Sequence, residues 1–428
     1  MEQLNKKVVI VGAGPAGLLL ALLLSNEGIP VQVLEADTEI ERTPRGAYYG
    51  TGAIQDLQKV GILDEIRQRG FTPTVFSWRW YNENYDVIST FDTNVISDVD
   101  GVDLRTVCLP QQDLLEIMLR RVQENSSATV NFGHKVVDIG QDEQTAWVDV
   151  ELDGHESARR ITADYVVGCD GARSLVRKKL FGDEFPGHTW DLQVVSNDLY
   201  YNVTDKFGWG DANFVIDPVN FFVAAKLTMD GLYRITYGEP ADLPAEEVKE
   251  RCGKRLEEIL PGHPKPDRYS VLRVGVYAIH QRCAPSFRVG RILLASDAAH
   301  LSNPMGGLGV TTGFADVGGL SQCLGGIWKG LADSSILDLY SEKRRQKWAE
   351  VTNVVTTDNL KRVTRRYDEE THPTAEWVAA LRLVENNDQI RKEFLMERLG
   401  LRYDFTQHYH NAKKQGSQDG NAMQSVVA

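Results

Sequence analysis

An α/β fold, in which a βαβ unit is interleaved with a mixed, largely antiparallel sheet and followed by helices, is what this sequence predicts. Three observations carry the prediction. The run "VVIV" (residues 8–11) is continuous and β-branched, as a strand covered on both faces should be, and it leads through a glycine-rich turn into a leucine-rich helical pattern over Pro15–Ser25. A second apolar strand, Val31–Leu34, completes the unit. Residues 190–238 then become aromatic and β-branched, with turn signals at 217–220 and 229–231, which marks a separate sheet layer.

The other elements follow in chain order. Residues 55–69 and 111–124 have helical periodicity, and "FSWRWYNENYDVISTF" (76–91) alternates like a half-solvated antiparallel strand pair. "ADYVVGCDGARSLVRKKL" (163–180) reads as a buried strand, a tight turn and a helix. Residues 245–260 form a charged amphipathic helix, 269–280 an alternating strand, and 291–295 a short buried strand that enters "LASDAAHLSNPMGGLGVTTGFAD". Helical patterns continue to about residue 400, and the final "KKQGSQDGNAMQSVVA" lacks periodicity and reads as a disordered tail.

Composition narrows the function classes. At 428 residues the chain exceeds one ordinary core, and its 42% hydrophobic content is ample for two joined domains. A net charge of -13 without a Lys/Arg block argues against nucleic acid or an anionic membrane as partner, since both need a basic face. The five cysteines, Cys108, Cys169, Cys252, Cys283 and Cys323, show no CxxC pair and no metal-ligand spacing, so they read as thiols in a reducing, cytoplasmic compartment, with no metal site. The apolar run at 8–24 is interrupted by Gly12, Gly14, Pro15 and Gly17 and lacks a cleavage site, so neither a signal peptide nor a membrane span is expected.

The turn "GAGPAG" has GxGxxG spacing at Gly12, Gly14 and Gly17, between strand and helix, and Glu35 ends the next strand. Gly12 permits the tight turn, Gly14 lets a pyrophosphate approach the backbone, and Gly17 lets helix and strand pack; Pro15 and Ala16 open the helix, whose free N–H groups favour an anion. Glu35, with Ala36 beside it, would accept from ribose hydroxyls and repel a 2′-phosphate, which suits FAD or NAD. This Rossmann-like reading leaves the choice between the two open.

The stretch from Leu294 is of another design. Asp297 follows a strand, Pro304 precedes Gly306, Gly307 and Gly309, and a helix begins near Val310 and Thr311. It contains no GxGxxG, and a carboxylate stands where phosphates would need donors; the glycines permit flat approach, and a helix start favours negative charge on a ring.

Taken in order, "GAGPAG" with Glu35, "CDGARSLVR" (169–177) and "SDAAHLSNPMGGLG" (296–309) resemble the three motifs of class A FAD-dependent aromatic hydroxylases, the para-hydroxybenzoate hydroxylase-like family, and especially its fungal, secondary-metabolism members. The resemblance spans residues 8 to 320. It implies that Asp297 contacts the ribityl chain of FAD, that Gly307, Gly309, Val310 and Thr311 face the flavin ring, and that Pro304 lies over the substrate pocket. It also implies Asp170 and Arg173 in a turn serving FAD and NADPH, with Arg42, Arg45, Gly46 and Gln111 as further FAD contacts. Arg42 and Arg45 sit in a loop where an acidic protein has few other cations for a pyrophosphate, although loop arginines are also commonly mere surface charges. Four positions depart from the family pattern: Ser296 for a glycine, Leu308 for a polar residue, and Thr311 and Gly319 for asparagines. On this reading 1–75, 105–185 and 287–365 form a discontinuous FAD-binding domain, 76–104 and 186–286 a substrate-binding sheet domain, 366–412 a C-terminal helical segment and 413–428 the tail.

The implied reaction is hydroxylation: a nicotinamide, NADPH or NADH, reduces the flavin, and a C4a-hydroperoxide delivers one atom of O2 to an electron-rich aromatic, polyketide-like or indolic ring. Epoxidation or Baeyer-Villiger insertion on the same fold, and a flavin-binding protein without turnover, are the alternatives. Tyr200, His188 and Arg234 are candidate substrate or proton-handling groups, Tyr200 and Arg234 with a structural alternative in closing the sheet by hydrogen bonding. Most of the sheet layer's aromatics, Tyr200, Tyr201, Trp209, Phe214, Phe221, Phe222, Tyr233 and Tyr237, are expected in the core, with some lining the cavity if a flat ring binds there. His300, beside Asp297, reads as a structural hydrogen-bonding residue, Trp78 and Trp80 as aromatics packed on one strand face, and the protein as a monomer or homodimer.

Overall fold

The computed structural model describes residues 7–41, 45–152, 158–364 and 372–410. Arg42 and the tail at 413–428 lie outside the described residues.

The first strand, Val8–Val11, is wholly buried and lies between Val31–Leu34 and Tyr165–Gly168, parallel to both. Ala128–Asn131 and Ile292–Leu294 extend this parallel sheet on either side, and Arg288–Val289 adds an antiparallel edge. The Pro15–Ser25 helix is apolar on all sides, so it packs inside the protein, against the helices Gln111–Gln123 and Gly309–Trp328. Gly17 makes the close contact: a Cβ there would lie 2.0 Å from the Gly12 carbonyl oxygen. Gly12 itself has φ +103°, a conformation that only glycine adopts without strain.

The second large sheet, eight-stranded among the described residues, runs from His300–Leu301 through Ser270–Cys283, Gly187–Tyr200, Leu232–Pro240, Phe222–Lys226, Ala212–Ile216 and Val75–Trp80 to Val87–Asp92. All its pairings are antiparallel except that between Ala212–Ile216 and Val75–Trp80. Period-two alternation divides the strand Leu232–Pro240. Tyr233, Ile235 and Tyr237 are buried with Trp209 and Phe222 beneath the helix Ala245–Ile259, while Arg234 and Thr236 face the other way.

One expectation is corrected and one sheet was not foreseen. The helical pattern over 55–69 is two helices, Thr51–Lys59 and Leu63–Arg69, separated where Gly61 takes φ +73°. A sheet that is three-stranded among the described residues, His134–Gln141, Ala146–Leu152 and Arg159–Ala163, lies in a stretch that sequence reading passed over. Its outer face is charged, and cross-strand pairs such as Arg160 with Asp149 (2.8 Å) replace the apolar runs that mark buried strands. The C-terminal segment packs on the far edge of the eight-stranded sheet, where Ser89 Oγ donates to the Leu381 carbonyl (3.1 Å) and the Trp377 ring meets Trp78 edge-on at 5.2 Å.

No helix among the described residues is long and apolar enough to cross a membrane. Gly17→Ala is expected to lower stability by about 1–3 kcal/mol, as overpacking of a close contact does. Chemical denaturation of the variant against the wild type checks this; an unchanged midpoint would contradict the contact.

Candidate active site

The parallel strands end at Val11, Leu34, Gly168 and Leu294 on one edge of their sheet. The chain leaves the first strand for one neighbour and later returns to the other, so a crevice opens at this edge, where open α/β sheets bind ligands. Gly12, Glu35, Asp170 and Asp297 each follow one of these strand ends, and all four line one continuous cavity of about 860 Å³.

At one end of the cavity is the start of the Pro15–Ser25 helix. Gly14 caps it with no side-chain hydrogen bond, Pro15 occupies the first turn, and the position of a Cβ on Gly14 is open space. The Glu35 carboxylate accepts from the backbone N–H of Ala13 (2.7 Å) and of Asp37 (3.1 Å), which fixes it at the rim. Ala16 and Ala36 also line this end; Arg45, Gly46 and Gln111 line the same cavity, with Gly46 beside Val310 and Gln111. Gly17 does not; its part is the helix–strand contact.

In the central turn, Asp170 accepts from Ser174 Oγ (2.5 Å) and from the Val176 N–H (3.1 Å), bonds that hold the turn against the helix Leu175–Phe181. Burial raises the Asp170 carboxyl above its usual range, and these hydrogen bonds oppose the shift. Arg173 is exposed and outside the cavity lining. Arg177 joins this turn to the next motif: its guanidinium donates to the carbonyls of Ala172 (2.8 Å) and Ala298 (3.0 Å) and lies 3.8 Å from the Phe185 ring centroid. Sequence reading quoted Arg177 without singling it out, because nothing in the local pattern distinguishes it from the neighbouring cations.

The other end is built on Asp316. This fully buried carboxylate accepts from Arg344 Nε (2.7 Å) through Oδ1; through Oδ2 it accepts from the Ser296 N–H (3.0 Å) and pairs with His300 Nε2 (2.7 Å). Burial alone would raise its carboxyl; His300 and Arg344 outweigh that and hold it below the usual carboxylate range. His300 therefore has the structural role expected of it. Ser296, standing where the family has glycine, adopts φ +58°, which costs a non-glycine residue about 1–2 kcal/mol. Gly313 leaves room for it, since a Cβ there would lie 2.3 Å from Ser296 Oγ.

The other departures lie within packed walls. Leu308 is 3% exposed among Ala315 and Leu401, Thr311 is 0% exposed with Oγ1 accepting from the Gly50 N–H (3.1 Å), and Gly319 abuts Phe405. Gly307, with φ +60°, and Gly309 both face open space. Asp297 opens onto the cavity yet is ringed by protein. That enclosure raises its carboxyl, against the pull of His300, Arg45 and Arg177.

Between this end and the eight-stranded sheet lies an aromatic chamber with Phe76, Trp78, Phe91, Phe214 and Tyr277 on one side and Pro304 on the other. Trp78 stacks on Phe214 with centroids 4.6 Å apart, so it serves the chamber as well as the sheet. Sequence reading did not single out Tyr277; burial raises its phenol above the ordinary tyrosine value. Arg234 reaches the cavity but is held by Asp198 (2.7 and 2.9 Å) and donates to the Arg45 carbonyl. Tyr200 lies outside the cavity, half-exposed and donating to Asp230 Oδ2 (3.2 Å), and His188 is exposed beside Trp190. Of the three candidate polar groups, only Arg234 borders the chamber.

An extended dinucleotide fits this cavity on physical grounds: two helix starts face it, the backbone is bare at Gly14, Gly307 and Gly309, and acceptors stand at Glu35 and Asp297. The chain matches the family described as FAD binding domain over residues 5–355. It belongs to this FAD-binding family. Para-nitrophenol 4-monooxygenase of Pseudomonas sp. (strain WBC-3) is 38% identical over 360 residues, 84% of this chain and 87% of that one. 6-Hydroxy-3-succinoylpyridine 3-monooxygenase HspB of Pseudomonas putida (strain DSM 28022 / S16) is 32% identical, covering 84% and 89%. The crystal structure of p-nitrophenol 4-monooxygenase PnpA from Pseudomonas putida DLL-E4 superposes with a TM-score of 0.86 at 34% identity, covering 94% of this chain and 99% of that one. This FAD-binding chain is an aromatic monooxygenase that uses a nicotinamide co-substrate. These relatives are bacterial, so the fungal subtype is not carried forward.

Two predictions follow from the Asp316 cluster. Asp316→Ala leaves Arg344 buried without its counter-charge and is expected to cost about 3–5 kcal/mol, measured by denaturant unfolding. Because the folded carboxyl is depressed, its contribution is present above the ordinary carboxylate range and fades as pH falls through the folded pKa. Gly313→Ala is expected to destabilise by about 1–3 kcal/mol alone and much less in a Ser296→Gly background. Additive effects in that double-mutant cycle would contradict the Ser296–Gly313 contact.

Proposed function

We propose that the cavity holds FAD along its length and a small hydroxylated six-membered aromatic ring in the chamber, and that the protein hydroxylates that ring. The continuous lining from Gly14 to Pro304 carries this reading, because it joins the nucleotide end to an aromatic, largely apolar wall of the other sheet. In this division 1–75, 105–185 and 287–365 serve the cofactor, and 76–104 and 186–286 the substrate. The start of the Pro15–Ser25 helix and Arg45 would hold the pyrophosphate, Glu35 the adenosine ribose, Asp297 the ribityl chain, and Gly307 to Val310 the flavin ring, with Thr311 bracing that turn through Gly50. When bound, FAD supplies the redox and oxygen-transfer chemistry after reduction by NADPH or NADH.

The chain's own residues bind, orient and exclude water. Trp78, Phe214 and Phe91 offer flat faces to a ring, and Pro304 closes the chamber opposite them. Tyr277 keeps its proton and can donate a hydrogen bond to a ring oxygen, whereas Arg234 is engaged by Asp198 and steadies the Arg45 loop. The names of the two Pseudomonas relatives share a hydroxylated six-membered aromatic ring, which is the substrate class this reading takes.

The test is oxygen labelling. The FAD-loaded protein, supplied with NADPH or NADH and a panel of substituted phenols and hydroxypyridines, is expected to oxidise the nicotinamide faster with a true substrate and to place one ¹⁸O atom from ¹⁸O2 in the product. Product NMR identifying an epoxide or an expanded ring would replace hydroxylation with the alternative chemistry. Flavin that no nicotinamide reduces, with any member of the panel, would overturn the reading.

A further inference from the structure

The cations lining the cavity and packed behind its walls are not alike. Arg234 is neutralised by Asp198, Arg344 by Asp316, and Arg177 spends its donors on carbonyls of the turns it joins. Arg398 has no such partner. It borders the same cavity, half-buried, and its one side-chain hydrogen bond among the described residues is a long one from Nη1 to the Gly306 carbonyl (3.4 Å). It makes no ion pair with any described residue. Burial depresses its guanidinium, and the adjacent Glu397 is exposed. A guanidinium is almost never neutral, so an unpaired one in an aromatic enclosure is costly unless something negative arrives.

Position indicates what arrives. Arg398 follows the helix Asp388–Met396, whose last turn gives Phe394 and Leu395 to the same cavity. Phe394 meets Phe91, a chamber wall, edge-on at 5.8 Å. The guanidinium thus stands with the ring-binding wall, beside the turn that follows Pro304, while Arg45, whose carbonyl accepts from Arg234, is exposed and pairs with Glu41 (4.0 Å). We propose that Arg398 determines charge specificity: it receives a phenolate or carboxylate oxygen of the aromatic substrate. This rests on the monooxygenase reading of the chamber and adds its substrate class, an aromatic anion rather than a neutral ring.

The test uses FAD-loaded wild type, Arg398→Met and Arg398→Lys, with dissociation constants read from perturbation of the flavin absorbance. The probes are two pairs of matched shape: 4-nitrophenolate with 4-nitroaniline, and benzoate with benzamide. Wild type is expected to favour each anion. Arg398→Met is expected to weaken anion binding by about 10- to 100-fold, the scale of a hydrogen bond to a charged group, and to leave the neutral probes within about threefold. Arg398→Lys retains part of the preference, because it keeps the charge and loses the fork. FAD content and melting midpoint should match wild type; if Arg398→Met fails to load FAD, Arg398→Gln carries the test.

A wild type that binds anion and neutral probe alike, a Met variant that weakens both equally, or a loss confined to FAD affinity would overturn the assignment. A wild type that hydroxylates an aromatic ring yet shows no anion preference refutes Arg398's role alone. A wild type that turns over no ring refutes the functional reading itself.

Discussion

The ring end of the cavity depends on one buried carboxylate. Asp316 has no solvent exposure, and a charge in that position persists only if counter-charge and hydrogen bonds surround it. The fold answers by bringing Arg344, His300 and the Ser296 N–H to its two oxygens. Those partners come from different segments, so satisfying the carboxylate fixes how they sit relative to one another. The left-handed backbone at Ser296 is held by this demand, and it sets the turn that presents Asp297 to the cavity. Arg344 also donates to the Leu401 carbonyl, which draws the C-terminal segment over the site and with it Phe394 and Arg398.

The two large sheets meet at the same place. His300–Leu301, leaving the Asp297 turn, pairs with the end of Ser270–Cys283 and so becomes an edge of the substrate-side sheet. One short strand therefore belongs to the nucleotide motif and to the chamber. Arg177 ties the central turn to this motif, and the Asp198–Arg234 pair ties the Arg45 loop to the substrate-side sheet. Each link is a charge-assisted bond between segments distant in sequence, which makes the cavity one site rather than two adjoining ones.

How much of this was legible in the sequence follows from where the determinants lie. The βαβ unit, the glycine spacing and Glu35 are local, and the strand and helix that they predict are those observed. That most aromatics of the sheet layer are core followed from alternation and composition, but which of them line the cavity, Phe214 among them, did not. Tyr200 and Arg234 were harder, because alternation says that two residues differ in face without saying which face borders the cavity; Tyr200 lies at the exposed strand end with Asp230, and Arg234 is engaged by Asp198. Arg177, Asp316, Arg344 and Arg398 carry no local signature at all. Their roles arise only when segments tens to hundreds of residues apart meet, and a single sequence holds no record of that meeting. The charged surface sheet around Trp147 escaped notice for a simpler reason, since its alternation is carried by salt-bridging residues rather than apolar ones.

The central claim is that "GAGPAG" and the turn after Asp297 are two ends of one FAD site opening on an aromatic chamber. A crystal structure of the FAD-loaded protein tests it most directly. The account predicts one extended FAD per chain, with its pyrophosphate at the start of the Pro15–Ser25 helix, its ribityl chain at Asp297, and its ring against Gly307 to Val310 facing Trp78 and Phe214. A flavin ring bound away from that turn, or a separate nucleotide at each of the two glycine turns, would contradict it.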